Sequence, residues 1–263
     1  MNSGTRTADR TGIMRGALTR SVLSDETYAA IRDLLLEYEI LPKQRVNIDA
    51  LSVRLGVSPT PVREALARLE SDGLVIKTPL RGYSATALLS PREFIELSQF
   101  RVIIEQWTAE NAALAPYSSP STLADEIAAI RTETAQLGSG PLAMRSLLEH
   151  DARFHGMVAA LAGNDLVRQS FERTHFHMHF LRLFLAARGS DGTTVDTIST
   201  ESSRSAARAW EQEDQISHTI SQHAAIAEAI TRGDGFTAAR LMQEHIEESR
   251  RRTLPLVEAL QIG

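Results

Sequence analysis

Residues 57–75 read V-S-P-T-P-V-R-E-A-L-A-R-L-E-S-D-G-L-V, and this stretch restricts the fold more than any other part of the chain. Ser58 is placed to cap a helix, and Pro59 sits at the first helical position, where the missing N–H costs nothing. Val62, Ala65, Leu66 and Leu69 share one face at helical spacing, and Gly73 stops the helix. Thr60, Arg63, Glu64 and Arg68 form the polar face. Upstream, residues 48–55 make a second short amphipathic pattern, separated from the first by Gly56 and Val57. Two short helices about a glycine-containing turn describe a helix-turn-helix. Downstream, residues 74–77 and 83–86 read as strands around a turn at 78–82, which makes a wing with Arg81 near its tip.

In a helix-turn-helix the second helix enters the major groove, its N-terminal residues nearest the base edges. The order P-V-R-E-A-L, then D-G-L-V, then R-G-Y resembles the winged helix-turn-helix of the GntR family of bacterial transcription regulators, over roughly residues 21–87. The resemblance implies that Arg63 contacts the operator, where a guanidinium can bond guanine O6 and N7 together. It also implies that Arg81 and Gly82 lie against the DNA backbone or minor groove. Arg45, Ser58, Thr60 and Arg68 complete the expected DNA-binding set. Pro59 departs from the family, many of whose members carry a DNA-contacting arginine there, so the operator sequence does not follow from the motif.

The whole chain has 263 residues, enough for two domains, with ordinary proportions of hydrophobic (43%) and charged (23%) residues for a globular protein. It has no apolar run of transmembrane length, no apolar signal core and no cysteine, which points to a cytoplasmic protein without disulfides or thiolate metal sites. The net charge of −5 is uneven: residues 1–88 carry +2 and residues 89–263 carry −7. The basic end is weakly basic, so affinity for DNA has to come from a local patch and from dimerisation.

Residues 1–20 read as a disordered tail, 21–88 as the DNA-binding domain and 89–263 as an effector-binding and dimerisation domain. A first helix is expected from Ser24. Ser90-Pro91-Arg92-Glu93 is a capping box that opens the second domain. From there the pattern is that of an antiparallel bundle of about six helices, near 90–114, 120–137, 141–162, 165–187, 206–232 and 236–252. Residues 188–205 read as a flexible loop or a lid. The chain is thus mainly α.

Asp151 and His155 are four apart on the third helix of this bundle, so they share a face. His223 and His245 lie on helices joined by the tight break at 233–235, and antiparallel packing lets them converge. One Asp and three His suit Zn, Ni, Mn or Fe as a divalent ion. The segments D-x-x-F-H, H-x-x-I-x-x-A-I and A-x-x-x-M-x-x-H resemble the FCD effector-binding domain of FadR-like GntR members. The resemblance implies that Asp151, His155, His223 and His245 bind one divalent metal per chain, and that a small organic acid or water fills the open positions. Arg101 is either a clamp for that acid or a partner of Glu105. Asn164 and Arg182 are further effector candidates. In the H-x-H-x-H run at 175–179 the three imidazoles cannot share one helical face, and only His175 and His179 can, so pocket or surface roles are expected.

The sequence therefore describes a metabolite-responsive regulator, a repressor by the family's habit, binding a pseudo-palindromic operator as a homodimer. The alternatives are a metal-independent regulator with a larger acyl-type effector and a metal-dependent hydrolase. Against the hydrolase, no further carboxylate is placed as a general base beside the quartet.

Overall fold

The computed structural model describes residues 10–115, 121–189 and 199–260. The chain forms two compact units, Met1–Ala87 and Leu88–Gly263. Eleven α-helices and three short strands account for most of the described residues.

The first unit holds α1 (Arg10–Leu36), β1 (Arg45–Val46), α2 (Ile48–Leu55), α3 (Pro59–Ser71), β2 (Val75–Thr78) and β3 (Gly82–Ala85). The strands pair antiparallel in the order β1-β3-β2. Val75 faces Ala85 and Thr78 faces Gly82, and Arg45 faces Ser84 across the other ladder. The wing closes with Arg81 N–H donating to the Thr78 carbonyl at 3.0 Å. Val62, Leu66 and Leu69 of α3 are fully buried with Ile31 and Leu35 of α1, which packs on α3. A hydrogen bond from Tyr28 Oη to Asp72 Oδ2 (2.7 Å) ties the same two helices at the far end of α3. Burial, helped by Asp72, pushes the Tyr28 hydroxyl pKa up.

Helix α1 corrects the expected boundary. It begins at Arg10, so residues 10–20 are helical and not a tail, while residues 1–9 lie outside the described residues. No proline stands between Arg10 and Ser24, so nothing in that segment forces the helix to start at the Ser24 cap.

Helix α2 is set by its ends. Asn47 caps it, accepting from Ala50 N–H at 3.1 Å, and Gly56 ends it at φ 67°, a left-handed conformation that glycine adopts without strain. Asn47→Ala is expected to lower stability by about 1 kcal/mol. Urea denaturation should show an earlier midpoint with unchanged slope.

The second unit is all helical: α4 (Pro91–Leu114), α5 (Ser121–Leu137), α6 (Pro141–Leu161), α7 (Asp165–Glu172), α8 (Phe176–Arg188), α9 (Glu201–Trp210), α10 (Glu213–Thr231) and α11 (Gly235–Ala259). The capping box at Ser90 and Glu93 is formed. Eight helices stand where about six were expected, because two of the expected helices are broken. Residues 165–187 split at 173–175, where Thr174 Oγ1 donates back to the Phe171 carbonyl (2.7 Å) and His175 takes φ 49°. Part of the expected loop at 188–205 is also helical. Thr200 and Ser203 form a reciprocal cap that starts α9, and residues 190–198 lie outside the described residues. Helix α11 runs past its expected end and through Pro255, which sacrifices one backbone hydrogen bond while Leu256 and Val257 stay fully buried.

Candidate functional site

In the first unit, Ser58, Thr60 and Arg63 are exposed at the start of α3, and Arg45, Arg81 and Gly82 are exposed on the strands. Ser58 occupies the N-cap but its hydroxyl makes no capping bond. The reason is local: the N3 residue is Pro61, which has no N–H to offer. Arg68 corrects the expected DNA-contacting set. Its Nη1 lies 2.6 Å from Asp25 Oδ1 and its guanidinium stands over the Tyr28 ring at 4.3 Å. It fastens α3 to α1 and does not face outward with Arg63.

In the second unit, α6, α10 and α11 bring Asp151, His155, His223 and His245 together. All four are buried, and one ligand atom from each lies within 4.8 Å of the others. Asp151 Oδ1 is 3.5 Å from His155 Nε2, 3.4 Å from His223 Nε2 and 4.0 Å from His245 Nε2. The Nε2 atoms of His223 and His245 are 3.2 Å apart.

The outward nitrogens decide what those inward atoms carry. His155 Nδ1 contacts Glu105 Oε2 on α4. His245 Nδ1 lies 3.0 Å from Gln222 Oε1. His223 Nδ1 lies 2.9 Å from His150 Nε2, and His150 Nδ1 lies 2.9 Å from Glu126 Oε1 on α5. In a neutral ring only one nitrogen carries hydrogen. Glu126 claims the hydrogen of His150, so His150 Nε2 accepts and His223 Nδ1 donates. By the same logic His155 and His245 donate from Nδ1. All three Nε2 lone pairs then point inward at a carboxylate oxygen. His155 Nε2 is buried without a hydrogen-bond partner. Only a cation relieves that convergence of lone pairs, and outer partners that fix the tautomer are the usual support of a metal-ligating histidine. Phe154 stacks on the His223 ring at 4.2 Å and 9°. The donor set thus fits a divalent metal.

Protonation follows the same geometry. Burial pushes His223 down to about 4, only partly offset by Asp151, and holds His245 well below its ordinary value. Burial works the same way on His155, but Glu105 and Asp151 overcome it and bring that ring up to about 8. Burial would raise Glu105, yet Arg101 and His155 bring it down to about 2.

The expected effector residues fare unevenly. Arg101 is buried and paired with Glu105, its Nη2 donating to Oε2 at 3.2 Å, and its guanidinium lies 3.8 Å from the centre of the Phe176 ring. Of its two readings the structure forms the ion pair. Asn164 is exposed, and its side-chain oxygen accepts from the N–H groups of Leu166 and Val167 as the cap of α7, so the effector role is withdrawn. Arg182 is buried on α8. His218 pairs with Glu248 at 2.9 Å and stands apart from the quartet.

Sequence reasoning missed His177, whose Nε2 lies 3.0 Å from Asp151 Oδ2. The break before α8 removes His175 from the helix and lets His177, the middle residue of its run, face the cluster. It also missed His150, Glu126 and Gln222 as outer partners. The only signal was adjacency, since His150 precedes Asp151 and Gln222 precedes His223.

Residues 23–83 match the family model "Bacterial regulatory proteins, gntR family", and residues 96–195 and 192–248 match that of the FCD domain. The chain belongs to the GntR family. This GntR-family chain is a DNA-binding transcription regulator and not an enzyme. It is 29% identical over 148 residues to the Nta operon transcriptional regulator of Aminobacter aminovorans, covering 54% of this chain and 67% of that one. It is 30% identical over 152 residues to an HTH-type transcriptional regulator from Agrobacterium vitis, covering 57% of this chain and 74% of the relative. A solved GntR regulator from Rhodococcus sp. RHA1 shares the fold, with a TM-score of 0.59 at 17% identity over 88% of this chain and 97% of that one. Among the described residues no helix is long and apolar enough to cross a membrane.

For this GntR regulator, Arg63→Ala is expected to weaken operator binding by about 1–3 kcal/mol per half-site and to relax specificity at one base pair. Fluorescence anisotropy on a selected operator and on its single-base variants checks both effects.

Proposed function

We propose that this regulator binds a pseudo-palindromic operator as a homodimer and acts as a repressor released by a small organic acid. In this reading Asp151, His155, His223 and His245 hold one divalent ion of the Zn, Ni, Mn or Fe group, and the acid binds against it. The observation that carries the reading is the convergence of three histidine Nε2 lone pairs on the Asp151 carboxylate, each ring held by an outer partner. A bound ion would act as a Lewis acid toward an anionic ligand group. The chain's own part is to fix the three tautomers and to exclude water from the buried quartet. Arg45, Ser58, Thr60, Arg63, Arg81 and Gly82 are the proposed DNA contacts.

Self-association is supported by an apolar stripe on α4, where Phe100, Ile103 and Trp107 are 37%, 69% and 37% exposed at helical spacing. Effector binding changes DNA affinity only if it favours one arrangement of the dimer over another.

Operator affinity measured on metal-loaded and chelator-treated protein, with and without short carboxylic acids, tests the proposal. An acid that shifts operator affinity only when metal is present supports it. Acids that act equally without metal would remove the metal from the mechanism.

A further inference from the structure

Beside the quartet lies a cavity of about 260 Å³ lined by Asp151, His245, Ser249, Arg252, Phe180 and Trp210. It lies below the usual range of small-molecule sites, about 300–1,000 Å³, so it suits a short acid and not a long acyl chain. Arg252 is the one cation among its walls. Its guanidinium stands 4.7 Å from the centre of the Trp210 ring, and Nη1 donates to Gln215 Oε1 at 2.9 Å. Nε and Nη2 are both buried and make no hydrogen bond. These two nitrogens form one edge of the guanidinium fork, the geometry that grips a carboxylate with two parallel bonds.

The neighbouring carboxylates are committed elsewhere. Glu248 accepts from Gln222 Nε2 at 2.6 Å and lies 2.9 Å from His218. Asp151 faces the histidines and His177. Burial pulls the Arg252 pKa down, against the pull of Glu248 and Asp151, yet an arginine stays charged at neutral pH. A buried guanidinium edge with two unmet donors is costly, and an anionic guest removes that cost. Arg101 cannot serve in this way, because Glu105 already holds it.

We propose that Arg252 is the effector-binding arginine of this regulator and that the effector is a short dicarboxylate, one carboxylate at the quartet and the other on the Nε–Nη2 edge of Arg252. The inference rests on the metal-dependent acid site proposed above and adds the residue and the second charge. The aromatic walls formed by Phe180 and Trp210 flank the short carbon chain between the two charges.

The test uses malonate, succinate and glutarate, each against the monocarboxylate of equal carbon count, titrated calorimetrically into metal-loaded full-length protein. Metal content is measured on every sample. Wild-type protein is expected to prefer a dicarboxylate over its monocarboxylate partner. Arg252→Gln is expected to weaken that dicarboxylate about 10- to 100-fold, to leave the monocarboxylate within about twofold and to keep one metal per chain. Because Arg252 also stacks on Trp210, Arg252→Lys serves as a second variant that keeps the charge but lacks the fork, and an intermediate loss is expected. No dicarboxylate preference in the wild type, or equal weakening of both acids in the variants, would overturn the role of Arg252 while leaving the metal-dependent acid site standing. A wild-type protein that takes up no metal would overturn both.

Discussion

Untagged protein is expected to carry about one divalent metal per chain, and His223→Ala is expected to carry almost none. His223 is the ligand to remove because its ring is held twice, by the hydrogen bond to His150 and by stacking on Phe154. Its loss takes away one of four donors and leaves His150 Nε2 without its partner. Elemental mass spectrometry on both proteins reads the result directly, and full metal retention in the variant would exclude His223 as a ligand. The same site predicts a pH dependence. In the metal-free protein His155 titrates at about 8, raised above its ordinary value by Glu105 and Asp151, so at pH 7 it holds a proton that an incoming ion has to displace. Apparent metal affinity should therefore climb as pH rises toward about 8 and then level, by about tenfold per pH unit on the slope. Without metal the sign is opposite. A raised histidine pKa stabilises the folded state below the unfolded value of about 6.5, and that contribution fades as pH climbs through about 8. Calorimetric metal titrations in buffers of different ionisation enthalpy measure the released proton.

Glu105→Ala is expected to destabilise the helical unit by about 3–5 kcal/mol. Glu105 is buried between two partners, Arg101 on its own helix and His155 on α6. Its removal leaves the Arg101 guanidinium buried and uncompensated, which is the costly way to break an ion pair. The double variant Arg101→Met with Glu105→Leu removes both charges together, and it should recover much of the loss. Metal affinity separates the two consequences. Both variants lack the acceptor that orients His155, so both should bind metal about 10- to 100-fold more weakly, whatever their stability. The two tryptophans, Trp107 and Trp210, both lie in the helical unit, so their fluorescence in a denaturant titration follows that unit alone.

Much of this was legible in the sequence. The helix-turn-helix and wing followed from the periodicity around Val62–Leu69, from Gly56 and Gly73, and from strands close to those observed. The quartet was legible because Asp151 and His155 are one helical turn apart and the break at 233–235 is tight. What the sequence hid were side-chain contacts between distant helices. Nothing in the order of residues says that Glu126 reaches His150 or that Gln222 orients His245. Local backbone events were hidden as well. The left-handed turn at His175 changed which histidine of its run meets Asp151, and Pro61 silenced the expected cap at Ser58. Arg68 was misread because its polar face was counted as outward, when Asp25 and Tyr28 of α1 claim it.

Six of the eight helices in the second unit place a side chain in the quartet or in contact with it: α4 through Glu105, α5 through Glu126 by way of His150, α6, α8 through His177, α10 and α11. A centre tied in this way behaves as a knot in the bundle, not as an ornament on one helix. Local opening of any one of these helices would disturb the donors of all the others, so the amides of the six should exchange with solvent as a single cooperative block. The protection of that block should deepen with free metal concentration as bound ion is added to the folded state only. The cell's supply of the ion would then set how firmly the regulator's core is held, even before any effector arrives.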